Sequence, residues 1–307
     1  MSGLVKAYVR VPCSTSNLGS GFDTLGLALD RYLHARFEPG GSELDVERTG
    51  TLRLLEEEGE ERDFLVEGFV GGVKQATGAP PVGRLSLHSE IPVARGLGSS
   101  AAALVAGHDL ARAVVGLGSD PLASFRHAAL TEGHGDNAAP CALGGLRAVV
   151  PGGDGPRPLA LDLSPDVGFA FAAPAAGVST TAARAALPPH VHHKVAVAEL
   201  GRLAALLRGL ALADPELVRV GVEDELHVPH RLPLIPGAYA AIAAGYDAGA
   251  WGVTISGSGS GLLAIGATDE VAAIAAAMHQ IFAAGGNDPN CVGFSLRPDF
   301  EGLARPT

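Results

Sequence analysis

Residues 91–103 of the chain are Ile91-Pro-Val-Ala-Arg-Gly-Leu-Gly-Ser-Ser-Ala-Ala-Ala103. Gly96 and Gly98 allow the backbone to approach a bound anion closely, because glycine has no Cβ. A helix is predicted to begin at Ser99-Ser100, and the free N–H groups and the dipole of a helix N terminus favour a phosphate. Two interpretations are open at this point: a phosphate-binding loop between a strand and a helix, or a glycine-rich turn with an ordinary serine N-cap.

The segments around this stretch mix strands and helices without a regular alternation. Residues 5–11 and 85–88 show the period-2 pattern of half-buried strands, and Asp120-Pro121 suits the start of another helix. The composition changes at Pro151-Gly-Gly-Asp-Gly-Pro156, where we predict a crossing between two halves. Beyond it we predict strands at 169–172, 251–255, 262–265 and 291–296, and helices at 200–210, 239–248 and 271–282. This mixture predicts an α+β fold.

Composition limits the kind of partner. The 307 residues carry a formal net charge of −11, with no Lys/Arg run longer than two, which argues against a nucleic-acid-binding protein. The acidic run at 56–63 is predicted to be a solvated face or loop. The three cysteines lack metal-ligand spacing, and neither a signal pattern nor an uninterrupted apolar span is visible. We therefore expect a soluble cytoplasmic protein that does not contact a membrane.

A family resemblance decides between the two interpretations of 91–103. The stretch lacks the Gly-Lys-Ser/Thr ending of a Walker loop. It resembles, at every fixed position, the second motif of the GHMP small-molecule kinases, Pro-x-x-x-Gly-Leu-Gly-Ser-Ser-Ala-Ala. The resemblance implies that this loop binds ATP and that Ser100 contacts Mg²⁺. The ATP-binding residues that it implies are Pro92, Arg95, Gly96, Leu97, Gly98, Ser99, Ser100 and Ala101.

Two further stretches are similar to the homoserine kinase branch of that family. The first is Pro12-Cys-Ser-Thr-Ser-Asn-Leu-Gly-Ser-Gly-Phe-Asp23, which implies that Asn17 and Asp23 contact the ammonium and the hydroxyl of an amino acid. An Asx turn, in which Asn17 caps its own loop, is the alternative. The second is Thr131-Glu-Gly-His-Gly-Asp-Asn-Ala-Ala-Pro140, which implies that Asn137 lies beside the acceptor hydroxyl.

Asn137 stands where other GHMP kinases carry an aspartate base, and an amide cannot take up a proton at neutral pH. Asn137 and Asp23 are therefore the predicted catalytic residues, acting mainly by position. Several relatives carry a metal-binding glutamate eleven residues earlier, where this chain has Arg126. We assign the Mg²⁺ role to Glu132, against the alternative of an exposed loop glutamate. His134 is expected to be structural and to bond the loop backbone.

The second half contains two arginines in family motifs. Arg184 lies in a Ser-Thr-x-x-Ala-Arg-x-x-Leu-Pro stretch and Arg231 in a Leu-His-x-Pro-x-Arg stretch. The resemblance implies that both bind the substrate carboxylate, which a guanidinium can engage with two hydrogen bonds. Histidines near Arg231 and at 190–193 lack carboxylate or cysteine company at metal-binding spacing. Gly257, in the glycine loop at 252–262, is implied to close over the substrate and the phosphates.

The resemblance implies the GHMP kinase fold, with two domains and the active site between them. We expect an N-terminal domain at 1–155 and a ferredoxin-like C-terminal domain at 156–307, with its helices on one face of the sheet. The implied reaction is transfer of the γ-phosphate of ATP to L-homoserine with Mg²⁺, in a homodimer. Two alternatives stay open: a GHMP kinase with another acceptor, and a GHMP-fold ligand sensor without turnover, which the substituted Arg126 allows.

Overall fold

The computed structural model of the protein describes residues 3–53, 63–286 and 290–306. Most of the acidic run at 56–63 lies outside these residues. Asp63, its last member, is the N-cap of a helix, where its carboxylate accepts a hydrogen bond from the backbone N–H of Val66. No helix in the described part of the chain combines the length and the apolar character needed to cross a membrane.

A long second strand organises the sheet of the first half. The strands of this sheet are β1 (Ala7–Ser16), β2 (Leu25–Pro39), β3 (Leu44–Gly50), β4 (Gly83–Ser89), β5 (Leu146–Val150) and β6 (Arg157–Ala160). β2 is buried along most of its length and pairs with β1 along one edge; on the other edge it pairs with β4 and β5. Among the described residues the strand order is β3-β4-β2-β5-β6, with β1 beside β2.

The predicted helix at Ser99 is present and almost wholly buried. It contacts β1, β2 and the preceding helix, and small residues allow the close approach. At Gly107, for example, an added Cβ would lie 2.5 Å from the carbonyl oxygen of Leu65. The helices of this half are α1 (Phe64–Thr77), α2 (Ser99–Val114), α3 (Pro121–Glu132) and α4 (Ala138–Leu143).

The second half contains the strands β7 (Val167–Ala173), β8 (Gly252–Ile255), β9 (Leu262–Ala267) and β10 (Val292–Leu296). Among the described residues they form an antiparallel sheet in the order β10-β7-β9-β8. With its helices this half runs β-α-β-β-α-β, the ferredoxin-like order, with several helices inserted at the first α position. The helices are α5 (Thr180–Ala185), α6 (His193–Leu212), α7 (Pro215–Val222), α8 (Val228–Arg231), α9 (Ala238–Asp247) and α10 (Val271–Gly286).

The expectation of helices on one face of this sheet is wrong. Ala172 packs with α9 and α10 on one face, whereas its neighbour Phe171 belongs to the core of the first half on the other. α7 also contacts the second face, because an added Cβ at Gly252 would lie 2.7 Å from the side chain of Val222. Every residue of β7 is buried, so both faces require cover.

The change of sheet falls between Ala160 and Val167, a few residues beyond the predicted boundary at 155/156. The last residues of the chain return to the first sheet, where Ala304 pairs with Arg10. One apolar core runs through both halves, since it contains side chains of β1, β2, β7 and β9. The division into domains at 1–155 and 156–307 therefore stays a proposal.

Candidate active site

A cavity of about 690 Å³ lies between the two halves and brings together most of the residues predicted from the sequence. The predicted residues that line it are Asn17, Asp23, Gly96, Gly98, Ser99, Ser100, Ala101, Glu132, Asn137, Arg184, Arg231 and Gly257. Three others, Pro92, Arg95 and Leu97, are not among its lining residues. Leu97 is buried in the core, and Arg95 donates hydrogen bonds to the carbonyl oxygens of Val93 and Ala175.

The glycine loop after β4 and the glycine loop between β8 and β9 meet backbone to backbone. The Ser256 hydroxyl donates to the Gly96 carbonyl oxygen at 2.7 Å, and the Gly261 N–H donates to the Arg95 carbonyl oxygen at 3.0 Å. An added Cβ at Gly96 would lie 2.0 Å from the carbonyl oxygen of Ser256. Only glycine fits at position 96, which also has a φ of +84°.

Asn17 joins the first motif to the loop at 252–262. Its Nδ2 donates to the Gly257 carbonyl oxygen at 2.7 Å, and its Oδ1 accepts from the Asp23 N–H at 3.0 Å. Asn17 therefore caps its own loop and also reaches the second half. Asn17, Leu18 and Asp23 all have positive φ values, of 73°, 50° and 50°. Residues other than glycine rarely adopt this region, and such strain is concentrated at functional sites.

The N terminus of α2 opens into the cavity. Its N-cap is Gly98, in the left-handed region, and no side chain of the described residues caps it. The N–H groups of Ser99, Ser100 and Ala101 have no partner within the helix, because the first such bond is from Ala102 to Gly98. These groups and the helix dipole make the terminus an anion-binding site.

Asn137 lies against this helix terminus with its amide fixed at both ends. Its Oδ1 accepts from the Ser14 hydroxyl at 2.9 Å, and its Nδ2 donates to the Ser16 hydroxyl at 2.8 Å. An added Cβ at Gly98 would lie 2.9 Å from the Asn137 Oδ1. The amide and the anion-binding terminus are therefore immediate neighbours.

Glu132 is a partly buried glutamate at the same place. Burial raises its pKa, and a hydrogen bond from the Ser100 hydroxyl opposes the increase. Its Oε2 is buried without a hydrogen-bond partner in the described structure. Arg126, the residue at the family's glutamate position, is exposed on α3 and does not line the cavity. The chemistry of Glu132 and Ser100 fits a hard cation that takes its other ligands from phosphate and water.

Asp23 and Arg184 form a two-point ion pair across the cleft. The Arg184 Nη1 and Nη2 donate to the two Asp23 carboxylate oxygens at 2.9 and 3.0 Å. This hydrogen bonding raises the pKa of the Arg184 guanidinium. Both side chains are more than one-third exposed, so the pair is accessible to a ligand and contributes little to stability.

Arg231 is the buried member of the arginine pair. Its Nε donates to the Ala183 carbonyl oxygen at 3.2 Å, and its Nη1 lies 3.4 Å from the Gly257 carbonyl oxygen. Burial and the neighbouring Arg184 lower its pKa. Its Nη2 makes no hydrogen bond to the described residues, so a donor remains for a ligand at the cavity wall.

We expected His134 to bond the loop backbone, but its partner among the described residues is a carboxylate. Its Nδ1 lies 2.7 Å from the Asp136 Oδ1, and both residues line the cavity. The hydrogen bond to Asp136 raises the pKa of His134, against the effect of burial. In the sequence, the i,i+2 spacing of this histidine and this aspartate was the signal from which the pairing could have been predicted. Sequence reasoning also missed the apolar residues that line the cavity, among them Leu52, Phe64, Leu65, Ile91 and Val93.

Comparison with known proteins places the chain in a family. The family model described as GHMP kinases N terminal domain matches residues 65–145, and the GHMP kinases C terminal model matches residues 198–284. Homoserine kinase from Moorella thermoacetica is 40% identical over 257 residues, which cover 83% of this chain and 86% of the relative. Homoserine kinase from Gloeobacter violaceus is 38% identical over 279 residues, covering 88% and 91%.

Solved structures agree with the sequence comparison. The crystal structure of homoserine kinase from Cytophaga hutchinsonii superimposes with a TM-score of 0.80 and 26% identity, over 100% of this chain and 99% of that chain. L. major mevalonate kinase, in complex with R-mevalonate, has a TM-score of 0.68 and 13% identity over 97% of each chain. The similarity to mevalonate kinase supports the fold alone. The α+β fold expected from the family resemblance is thereby confirmed.

The His134–Asp136 pair generates a prediction about titration. In Asp136→Asn the pKa of His134 falls, because the hydrogen bond and the charge that raise it are lost while burial remains. Titration of the imidazole resonances by NMR measures this pKa, with His134→Gln for assignment of the His134 signal. An unchanged His134 pKa would show that Asp136 does not control it.

In the wild type, the stability from this pair is complete below about pH 6.5 and is lost as the pH rises through the folded-state pKa of His134.

Proposed function

This chain belongs to the GHMP kinase family, and we propose that it transfers the γ-phosphate of ATP to the side-chain hydroxyl of L-homoserine. One observation carries the proposal: Asp23, Arg184 and Arg231 line the same cavity as the N terminus of α2. A carboxylate and two guanidinium groups complement the ammonium and the carboxylate of an amino acid. The helix terminus complements a phosphate chain. The product is then O-phospho-L-homoserine.

The nucleotide half of the cavity offers two kinds of contact. The backbone N–H groups of Ser99, Ser100 and Ala101 have no partner within the helix and are available to phosphate oxygens. The apolar residues that line the cavity suit a flat purine base. Together these features support ATP as the phosphate donor.

Glu132 and Ser100 would hold Mg²⁺ in this proposal. Among the described residues, no group of three or more His, Cys, Asp or Glu side chains is arranged to hold a metal ion. One carboxylate and one hydroxyl are consistent with Mg²⁺, which is usually bound by one or two carboxylates and by substrate phosphates. When bound, the ion neutralises charge on the phosphate oxygens. The unpartnered Glu132 Oε2 supports this assignment.

The Asp23–Arg184 pair defines how the acceptor would bind. An amino acid carries one positive and one negative group on the same carbon. Its ammonium would take the place of Arg184 beside Asp23, while its carboxylate would engage Arg184 and the free Nη2 of Arg231. The Asp23 carboxylate and the Arg184 guanidinium, once separated, would then each be paired with a group of opposite charge on the acceptor. An acceptor without one of the two charges would leave Asp23 or Arg184 unpaired.

Asn137 would orient the acceptor hydroxyl for transfer. The serine hydroxyls of Ser14 and Ser16 hold its amide next to the anion-binding terminus. An amide can position a hydroxyl by hydrogen bonding but cannot accept its proton. We propose a structural role for His134, whose Nδ1 is bonded to the Asp136 carboxylate. We therefore propose that catalysis is mainly positioning and stabilisation of the phosphoryl charge, with Asp23 fixing the acceptor.

We also propose that the protein acts in the cytoplasm as a homodimer. The three cysteines are free and two are buried, which suits a reducing compartment. The homodimer is the expectation from the family resemblance.

Phosphate transfer from labelled ATP to homoserine, threonine, serine and mevalonate tests the proposed function. We expect homoserine to have the highest kcat/KM. Serine, which is one methylene shorter, should be slower by roughly tenfold or more, and mevalonate, which has no ammonium, should stay near background. Faster transfer to mevalonate would indicate another GHMP kinase. Binding of ATP and homoserine without turnover would indicate a ligand sensor.

The metal assignment gives a second prediction. Glu132→Gln keeps the shape of the side chain but removes its charge, so the Mg²⁺ concentration for half-maximal rate should rise roughly tenfold or more. Glu223→Gln, at an exposed position outside the cavity, is the matched control. Calorimetric titration of ATP at fixed Mg²⁺ concentrations gives a readout that is independent of turnover. If both variants match the wild type, another group holds the ion.

A further inference from the structure

His227 is a completely buried histidine at the contact between the two halves. Its Nε2 lies 3.1 Å from the Gly19 carbonyl oxygen, in the loop that connects Asn17 and Asp23. Its ring stacks on the Phe22 ring at a centroid distance of 4.9 Å and an angle of 19°. His227 itself precedes α8, the short helix that ends in Arg231. One side chain therefore touches the acceptor-binding parts of both halves.

The hydrogen bonds define which ring nitrogen carries the proton. The Gly19 carbonyl oxygen can only accept, so the Nε2 of His227 is the donor. In the neutral ring the Nδ1 then has a lone pair, and Arg231 Nη1 lies 3.5 Å from it. A second proton on the ring would turn an N–H towards the guanidinium. Burial, together with the positive charge of Arg231, lowers the pKa of His227. The Asp224 carboxylate, whose Oδ2 lies 3.8 Å from Nε2, opposes this decrease.

The backbone around His227 is fixed by a carboxylate. Asp224 accepts hydrogen bonds from the backbone N–H groups of Leu226, His227 and Val228, which fixes the turn before α8. The Ser20 hydroxyl of the first-half loop donates to the Gly221 carbonyl oxygen of α7 at 2.7 Å. This loop therefore bonds the second half at Gly221 as well as at His227.

His227 cannot act on the substrate itself. It does not line the cavity, and its ring is enclosed by Phe22, Gly19 and Arg231. The guanidinium of Arg231 is meanwhile held on three sides: by His227 and Gly257 at Nη1, and by Ala183 at Nε. This arrangement leaves Nη2 as the donor without a partner among the described residues.

We propose that His227 is a positioning residue, which holds Arg231 and the Asn17–Asp23 loop at a fixed separation and thereby sets the affinity for the amino-acid acceptor. The proposal rests on the proposed function, in which Arg231 binds the carboxylate of the acceptor and Asp23 its ammonium. It assigns specificity to a side chain that touches no substrate. The hydrogen bond to Gly19 positions the loop, and the contact with Nη1 orients the guanidinium.

Three substitutions separate these two contacts. His227→Phe keeps a ring against Phe22 but loses both polar contacts. His227→Gln can place an amide N–H near the position of Nε2 and so retain the bond to Gly19. His227→Asn can place an amide oxygen near the position of Nδ1 and so retain the acceptor for Arg231. His190→Gln, at an exposed position outside the cavity, is the control, and Arg231→Ala shows the effect of losing the guanidinium.

KM for homoserine, KM for ATP, kcat and the melting temperature are measured for each variant. In His227→Phe we expect the homoserine KM to rise roughly tenfold while the ATP KM stays within about twofold. Gln and Asn should give smaller increases, and no increase should exceed that of Arg231→Ala. If the role of His227 were purely structural, His227→Phe would have a lower melting temperature, and its KM values for homoserine and ATP would either change together or both stay the same.

The outcomes separate the two proposals. If the wild type phosphorylates homoserine and His227→Phe has the same homoserine KM as the wild type, the positioning role of His227 is overturned and the proposed function is not. If His227→Phe does not fold, unchanged homoserine KM values in the Gln and Asn variants would do the same. Absence of wild-type transfer to homoserine would overturn the proposed function, and the inference with it.

Discussion

The contact between Gly96 and Ser256 is the constraint on which the rest of the site depends. The backbones of two glycine loops, which are 160 residues apart in sequence, approach so closely that a Cβ at position 96 cannot be accommodated. This contact places the N terminus of α2 against the second half. Asn17 then bonds Gly257, the next residue in that loop, so that all three glycine motifs meet around one cavity. The anion site and the acceptor site are neighbours for this reason.

An acidic protein can offer a site for anions when local groups supply the positive potential. The net charge of −11 is countered at the cleft by helix N–H groups and by two arginines, one of them buried. Asp23 and Glu132 provide negative charge at defined points: one is paired with Arg184, and the other has an oxygen without a partner. Each charge stands at a defined point of the cleft, so specificity would arise from the sign of each group on the acceptor rather than from overall attraction.

The local patterns in the sequence predicted the helix at Ser99 and its glycine loop, because turn chemistry and periodicity are short-range signals. Most of the other cavity residues were implied by the family resemblance. The hydrogen-bond partners of the site residues could not be predicted from such local signals. The bond between His227 and Gly19 joins residues 208 positions apart, and His134 was assigned to the loop backbone although a carboxylate two residues away is its partner. β2 was missed because it is buried on both faces near its start and shows no alternation there. The site residues and their roles remain predictions from the family motifs, which the cavity brings together.

The most direct test of this account is the binding of charge-deleted acceptors to the wild-type protein. Calorimetry would compare homoserine with 4-hydroxybutanoate, which lacks the ammonium, and with 3-aminopropan-1-ol, which lacks the carboxylate. If the acceptor replaces the Asp23–Arg184 ion pair, each analogue leaves one of these charges unpaired and should bind at least about tenfold more weakly than homoserine. Binding of either analogue within about twofold of homoserine would contradict the exchange of charges at this site.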